Sequence, residues 1–113
     1  MKQKEIWLIS LEPTIGAEIS KTRPCVILND DAIGVLPLKV IAPITDFKEK
    51  FEIVPWMIML TPDFRNNLDK VSVIDTFQVR SIAKVRLIRR IGVISDDQLV
   101  RVWEALKIVF GWQ

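Results

Sequence analysis

The sequence predicts a mainly β fold with a C-terminal helix, its strands wound into a small antiparallel barrel. Three observations predict it. Short apolar runs recur between turn residues along most of the 113-residue chain. No helical spacing separates those runs, as a parallel sheet would require. Only the last stretch repeats apolar residues at three and four positions.

Residues 6–11 alternate and are rich in large apolar side chains, residues 25–29 and 38–44 are short apolar runs, and residues 52–60, 71–79 and 87–94 follow. All six read as strands. Turn signals stand between them: Pro13 with Gly16, residues 29–31 with Gly34, Pro43, and the polar loop 61–70 with Asn66 and Asn67. The strand 87–94 carries Arg89 beside Arg90, whose side chains must point to opposite faces, placing one of them near a polar site or interface. The segment 95–106 is the clearest helix. Ser95 can cap it, Gln98 stands at the third position for a capping box, Asp96 and Asp97 favour the positive end, and Gly111 follows the last turn. Its stripe of Leu99, Val102, Trp103, Leu106 and Phe110 is expected to pack on the barrel or on a partner.

Composition bounds the rest. The length suits one domain over residues 1–113 with a single core. Half the residues are apolar and 27% are charged, which excludes disorder. Four Trp and five Phe leave room for an exposed apolar face, as an obligate dimer would have. A formal charge of +2 excludes a polycationic coat, so any nucleic-acid contact must be a local patch. The richest basic stretch, Lys84, Arg86, Arg89 and Arg90, lacks interleaved aromatics and reads first as a solvated strand face. The lone Cys25 lies in an apolar strand and is expected to be a buried, inert thiol. No apolar run reaches membrane-spanning length and the N-terminus lacks a signal segment, so a cytoplasmic protein is expected.

With no His in the chain, imidazole catalysis and His metal sites are excluded, and a single Cys excludes thiolate zinc clusters. Neither GxGxxG nor a Walker motif is present, so nucleotide-cofactor chemistry has no support and no cofactor is expected. Two segments stand out instead. LEPTIGAEISKTRPC, residues 11–25, is a Pro/Gly-bearing loop with Lys21 and Arg23 running into a buried strand; VIAPIT, residues 40–45, ends an apolar strand on Thr45. On composition alone both polar residues read as structural, Arg23 pairing with Glu18 or Asp46 and Thr45 closing a turn.

These two segments, with IWLISLEPT at 6–14, FQVRS at 77–81, KVRLIRRIG at 84–92 and the closing SDDQLVRVWEAL, resemble the MazF/PemK family of toxin endoribonucleases in wording and order. Only residues 46–70 match weakly. The resemblance implies an SH3-like barrel paired as a homodimer, of the type shared by MazF, CcdB and Kid. It also implies metal-independent, sequence-selective cleavage of single-stranded RNA to 2′,3′-cyclic phosphate and 5′-hydroxyl ends, and inhibition by a cognate MazE-like antitoxin. Operator DNA would be met only through that antitoxin. The family's RP arginine matches Arg23 and its PIT threonine matches Thr45.

The residues themselves support that chemistry. RNA brings its own nucleophile, the 2′-hydroxyl, so the protein need only orient and polarise. A guanidinium supplies planar, charge-assisted donors to the phosphorane oxygens, which suits Arg23, and a rigidly held hydroxyl suits Thr45. The family scheme often makes the arginine a general acid and base. A guanidinium holds its proton far above neutral pH, however, so electrostatic stabilisation with proton transfer through water is the expected role.

The loop 13–22, with Glu18 and Lys21, could close over the strand of RNA. Gln78 and Arg80, two apart in the expected strand, share one face, where Gln78 could read a base edge and Arg80 pair with phosphate. Each can equally be structural. Phe77 is expected in the core, and would stack on a base if exposed. The family often has an acidic residue at Phe77 and a serine at Asp46, and both departures bear on base preference. Two alternatives stay open: a non-enzymatic CcdB-like toxin that binds gyrase, and an inactive, autoregulatory member.

Overall fold

The computed structural model describes residues 1–19, 21–33 and 35–112, so the expected turn residue Gly34 lies outside the described part. Its elements run β1 (Glu5–Ser10), β2 (Thr22–Ile27), β3 (Leu38–Asp46), β4 (Met57–Leu60), β5 (Ser72–Asp75), β6 (Arg80–Ala83), β7 (Leu87–Val93) and α1 (Asp96–Phe110). The strands order as β4-β5-β3-β2-β1-β7, with β6 also on β3, and each pairing is antiparallel.

The long strand β3 is the axis of the sheet. One edge pairs with β2 through Ile27↔Ile41, Val26↔Ala42 and Cys25↔Pro43. The other edge pairs first with β6, ending at Ile41↔Arg80, and then with β5, beginning at Ile44↔Ile74. On that edge residues 75–79 face only Ala42 and Pro43, and the surplus is looped out as a 3-10 turn, Thr76–Gln78. Pro43 explains the position. Val40 C=O accepts from Leu28 N–H, so the even-numbered groups of β3 address β2 and the odd-numbered groups address β5 and β6. Pro43 therefore lacks its donor on the edge where the partner leaves the ladder. The sequence reading of Pro43 as a turn residue is corrected: it sits inside β3, buried.

Both faces of the sheet are packed. One carries Ile6, Val26, Ala42, Ile44, Leu60 and Ile74 beneath Val102 and Ala105 of α1. The other carries Ile9, Leu11, Cys25, Ile27, Ile41 and Ile82, with Trp7 and Ile19 against them. Burying each large aliphatic side chain contributes about 1.5–3 kcal/mol. The helix has the expected capping box, Gln98 N–H donating to Ser95 Oγ at 3.1 Å and Ser95 N–H to Gln98 Oε1 at 2.8 Å. Gly111 closes it in the left-handed conformation, at φ 66°. Of the expected stripe, Val102 is buried and Leu99 and Leu106 pack on the core, but Trp103 and Phe110 are exposed.

A loop, not a strand, joins the two ends of the sheet. Val93 N–H donates to Arg65 C=O at 3.0 Å and Asn67 Nδ2 to Ile91 C=O at 2.9 Å, tying the segment after β4 to β7. Buried Asn66 shapes that loop, accepting from the Asp63 and Leu68 amides and donating to Thr61 C=O.

Two expected strands need correction, and one strand was not expected. Within 52–60 only Met57–Leu60 is strand, because Pro55 interrupts it and Glu49–Phe51 forms a 3-10 turn before it. Within 71–79 only Ser72–Asp75 is strand. The short β6 was not anticipated, since Arg80, Ser81 and Ala83 carry little β signal and pairing with β3 supplies it instead.

Two predictions follow from this architecture. A Cβ on Gly92 would lie 2.4 Å from Arg65 O and 2.5 Å from Asn66 O, both backbone atoms that cannot swing aside. Gly92→Ala should cost about 3 kcal/mol in urea unfolding, through displacement of the sealing loop. On the adjacent strand, opposite Val93, Glu5 accepts from Trp7 Nε1 at 3.0 Å and Lys2 N–H at 2.8 Å, and pairs with the N-terminal ammonium and Arg90. Burial by itself raises its pKa, but these bonds and the ammonium outweigh that and bring it from 4.5 down to about 2. A depressed carboxylate stabilises the fold above its unfolded pKa and loses that contribution as pH falls through the folded value. Glu5→Gln should be less stable by about 1 kcal/mol at pH 7, after discounting for solvent screening and for the acceptor oxygen that glutamine keeps, with the gap closing as the pH approaches 2 in parallel denaturation curves.

Candidate active site

The β2–β3 ladder ends at Cys25↔Pro43, and the same register continued brings Arg23 opposite Thr45. Side chains two apart on a strand share a face, so Arg23, Cys25, Pro43 and Thr45 all stand on the face of the second core cluster. Ile41↔Arg80 places Arg80 on that face too. The electrostatics agree. Burial pushes the Cys25 thiol up to about 12, while the guanidinium groups of Arg80 and Arg23 pull the other way, so both cations lie within reach of the sulfur. Arg23 and Thr45 are half-buried at the ends of strands whose interiors are packed solid.

Beside them a pocket of about 530 Å³ is lined by Leu11, Glu18, Ile19, Pro43, Gln78 and Arg80, with Phe77 at its rim. One wall is the loop between β1 and β2 and the other is the looped-out turn. Gln78 connects the walls: its Oε1 accepts from Ile19 N–H at 2.6 Å and its Nε2 donates to Asp75 Oδ2 at 3.0 Å. The sequence placed Gln78 and Arg80 on one strand face. They line one pocket for a different reason, Gln78 from the 3-10 turn and Arg80 from the first position of β6.

Phe77 is 60% exposed, which overturns the expected core position; its ring lies 5.5 Å from Trp56. Glu18 lines the pocket and accepts from Ile15 N–H at 2.7 Å. Lys21 is exposed with φ 70°, its N–H donating to Glu12 Oε1 at 2.8 Å, so it shapes the loop that delivers Arg23. Asp46 is separated from these. As the neighbour of Thr45 it addresses the opposite face, pairing with Lys70 at 3.4 Å in a second depression of about 470 Å³ that Arg89 and Pro24 also line. Arg90 meanwhile pairs with Glu5, so the two adjacent arginines do take different surroundings. The sequence reading missed Asp75, Ile19 and Pro43. For Asp75 a signal existed in the D-x-x-Q spacing, because Asp caps short turns by accepting from the amide two residues on.

A small antiparallel barrel with cationic donors and a hydroxyl gathered at strand ends defines the class, and comparison with known proteins makes it specific. Residues 2–110 match the PemK-like, MazF-like toxins of type II toxin-antitoxin systems, and the chain belongs to that family. It is 30% identical over 114 residues to Endoribonuclease MazF9 of Mycobacterium tuberculosis, covering 96% of this chain and 94% of that one. It is 31% identical over 112 residues to Endoribonuclease MazF of Staphylococcus epidermidis, covering 98% and 92%. The solved structure of an endoribonuclease in complex with its cognate antitoxin from Mycobacterial species shares the fold, with a TM-score of 0.79 at 14% identity across 100% of this chain and 97% of that one. Among the described residues no helix is long and apolar enough to cross a membrane.

Raising the thiol pKa from 9.0 to about 12 makes Cys25 a poor nucleophile despite two neighbouring cations. Iodoacetamide at pH 8 should therefore label the folded protein about a thousandfold more slowly than the urea-unfolded chain, as followed by mass spectrometry.

Proposed function

We propose that this toxin is a metal-independent endoribonuclease that cleaves single-stranded RNA at the face shared by Arg23, Thr45 and Arg80. The observation that supports the reading is the register of β2 on β3, which, continued past Cys25↔Pro43, brings Arg23 opposite Thr45, beside a pocket of about 530 Å³ with room for a nucleobase and its sugar. In the proposed reaction the substrate's 2′-hydroxyl gives its proton to water as its oxygen attacks the adjacent phosphorus in line, and the P–O5′ bond breaks as the 5′-oxygen takes a proton from water. The products are a 2′,3′-cyclic phosphate and a 5′-hydroxyl. Arg23 and the Thr45 hydroxyl stabilise the charge that develops on the non-bridging oxygens. Arg80 holds a neighbouring phosphate, Phe77 offers an exposed ring for stacking, and the pocket between Glu18 and Gln78 takes a base. Lys21 lies outside that pocket and acts on a flanking nucleotide, while Asp46, on the opposite face beside Lys70, takes no part.

The family's systems pair each toxin with an antitoxin, and one relative of this fold is known in complex with its cognate antitoxin. In the same reading a disordered, acidic antitoxin tail folds along the basic face and excludes RNA, and operator DNA is reached only through the antitoxin. A homodimer accords with the exposed apolar surface of Val35, Leu36, Leu38, Val40 and Val85, which the Lys84 N–H to Pro37 C=O bond of 2.9 Å holds together.

The test incubates purified protein in EDTA with a long single-stranded RNA and maps the fragment ends. Discrete cuts with 5′-hydroxyl ends are expected, with rates falling about 100- to 1,000-fold in Arg23→Ala and about tenfold or more in Thr45→Ala. Toxicity that survives Arg23→Ala without cleavage would sink the enzymatic reading in favour of a binding toxin.

A further inference from the structure

The proposed reaction has no use for Asp75, yet this carboxylate is only 5% exposed. Its Oδ1 accepts from Phe77 N–H at 3.1 Å and its Oδ2 from Gln78 Nε2 at 3.0 Å. Among the described residues no cation forms an ion pair with it. Burial pushes its pKa up, against the bonds from Gln78 and Phe77. Removing a charge from water without a counter-charge is costly, and Ser or Asn would cap the turn equally well. What sets an ionised carboxylate apart is that it can only accept.

That property fixes Gln78. A side-chain amide has a donating end and an accepting end of nearly the same shape, and its neighbours decide which way it lies. Asp75 demands the nitrogen, and the Ile19 N–H, 2.6 Å from Oε1 on the other side, demands the oxygen. The second lone pair of that oxygen is left for the pocket that Gln78 lines.

We infer that Asp75 is a positioning residue that holds the Gln78 carbonyl oxygen toward the pocket, making its polar edge an acceptor that selects a base carrying an amino group there. The inference rests on the endoribonuclease reading above. Adenine and cytosine present an amino group where guanine and uracil present a carbonyl, so an acceptor attracts the first pair and repels the second. Asp75→Asn reverses the arrangement. The new Oδ1 keeps the Phe77 cap and the new Nδ2 meets Gln78, so the Gln78 amide turns over, exposes its nitrogen to the pocket and loses its bond to Ile19.

The experiment maps cuts in a randomised single-stranded RNA by wild type, Asp75→Asn and Gln78→Ala, alongside amide hydrogen exchange at Ile19. At one position of the cut motif the wild type should favour adenine or cytosine about fivefold, the discrimination one neutral hydrogen bond supplies. Asp75→Asn should move that position toward guanine or uracil and speed exchange at Ile19. Gln78→Ala should abolish the preference without reversing it. A wild-type enzyme that cuts RNA and an Asp75→Asn variant that cuts the same motif would overturn the inference alone. If Asp75→Asn does not fold, Gln78→Ala decides, and an unchanged motif there overturns it. Wild type that cuts no RNA sinks the endoribonuclease reading and this selectivity with it.

Discussion

One missing N–H governs the site. Pro43 occupies a position of β3 whose donor would address β5 and β6, and on that edge the partner strand departs from the ladder and returns after five residues. The looped-out turn is the structure that raises Phe77 and Gln78 from the sheet, and Arg80 is the residue with which pairing resumes. On the other edge the same proline pairs with Cys25 at the end of the ladder whose register, continued, leads to Arg23 and Thr45. A sequence feature that ordinarily ends strands here divides one strand's edge between scaffold and site.

The packing beneath the site keeps it rigid. Arg23 and Thr45 extend from segments whose next inward residues, Cys25, Ile27 and Ile41, have no exposed surface. Preorganised charge is worth more than mobile charge because no reorganisation is needed as the transition state forms. Cys25, within reach of both guanidinium groups yet held as a neutral thiol, adds no negative charge to that face. The loop between β1 and β2 is less deeply built. Among the described residues it rests on Ile19 packing, on the bond from Ile19 N–H to Gln78 and on Arg86 donating to the Glu12 carbonyl.

The sequence made much of this legible, and where it failed the reasons are local. The strands at residues 6–11, 25–29, 38–44 and 87–94 were readable because each buries an apolar run, and α1 because Ser95, Gln98 and Gly111 mark its ends. Residues 52–60 misled because Ile53 is apolar but 88% exposed, ahead of Pro55, so hydrophobicity there reports no burial. The short β6 owes its extended form to β3. Arg23 and Thr45 were legible as polar residues at the ends of apolar strands; their mutual placement is a matter of register, which one strand alone does not carry. The separation of Asp46 from Thr45 was available from simple alternation. Phe77 and Asp75 were not separable from a strand reading, because only the interruption opposite Pro43 turns one outward and gives the other a capping role.

The seal between β4 and β7 bears on how copies of the protein can meet. An uncovered strand offers a row of unused amides and carbonyls that any other sheet can zip onto, a common route to aggregation. Here the backbone of Val93 and Ile91 is already occupied by Arg65 and Asn67, and Gly92 lets the covering loop lie flat against the strand. At β7 the sheet thus carries its own cover. A toxin built this way can be stored at high concentration without strand-to-strand growth from that side, leaving association to surfaces selected for a particular partner.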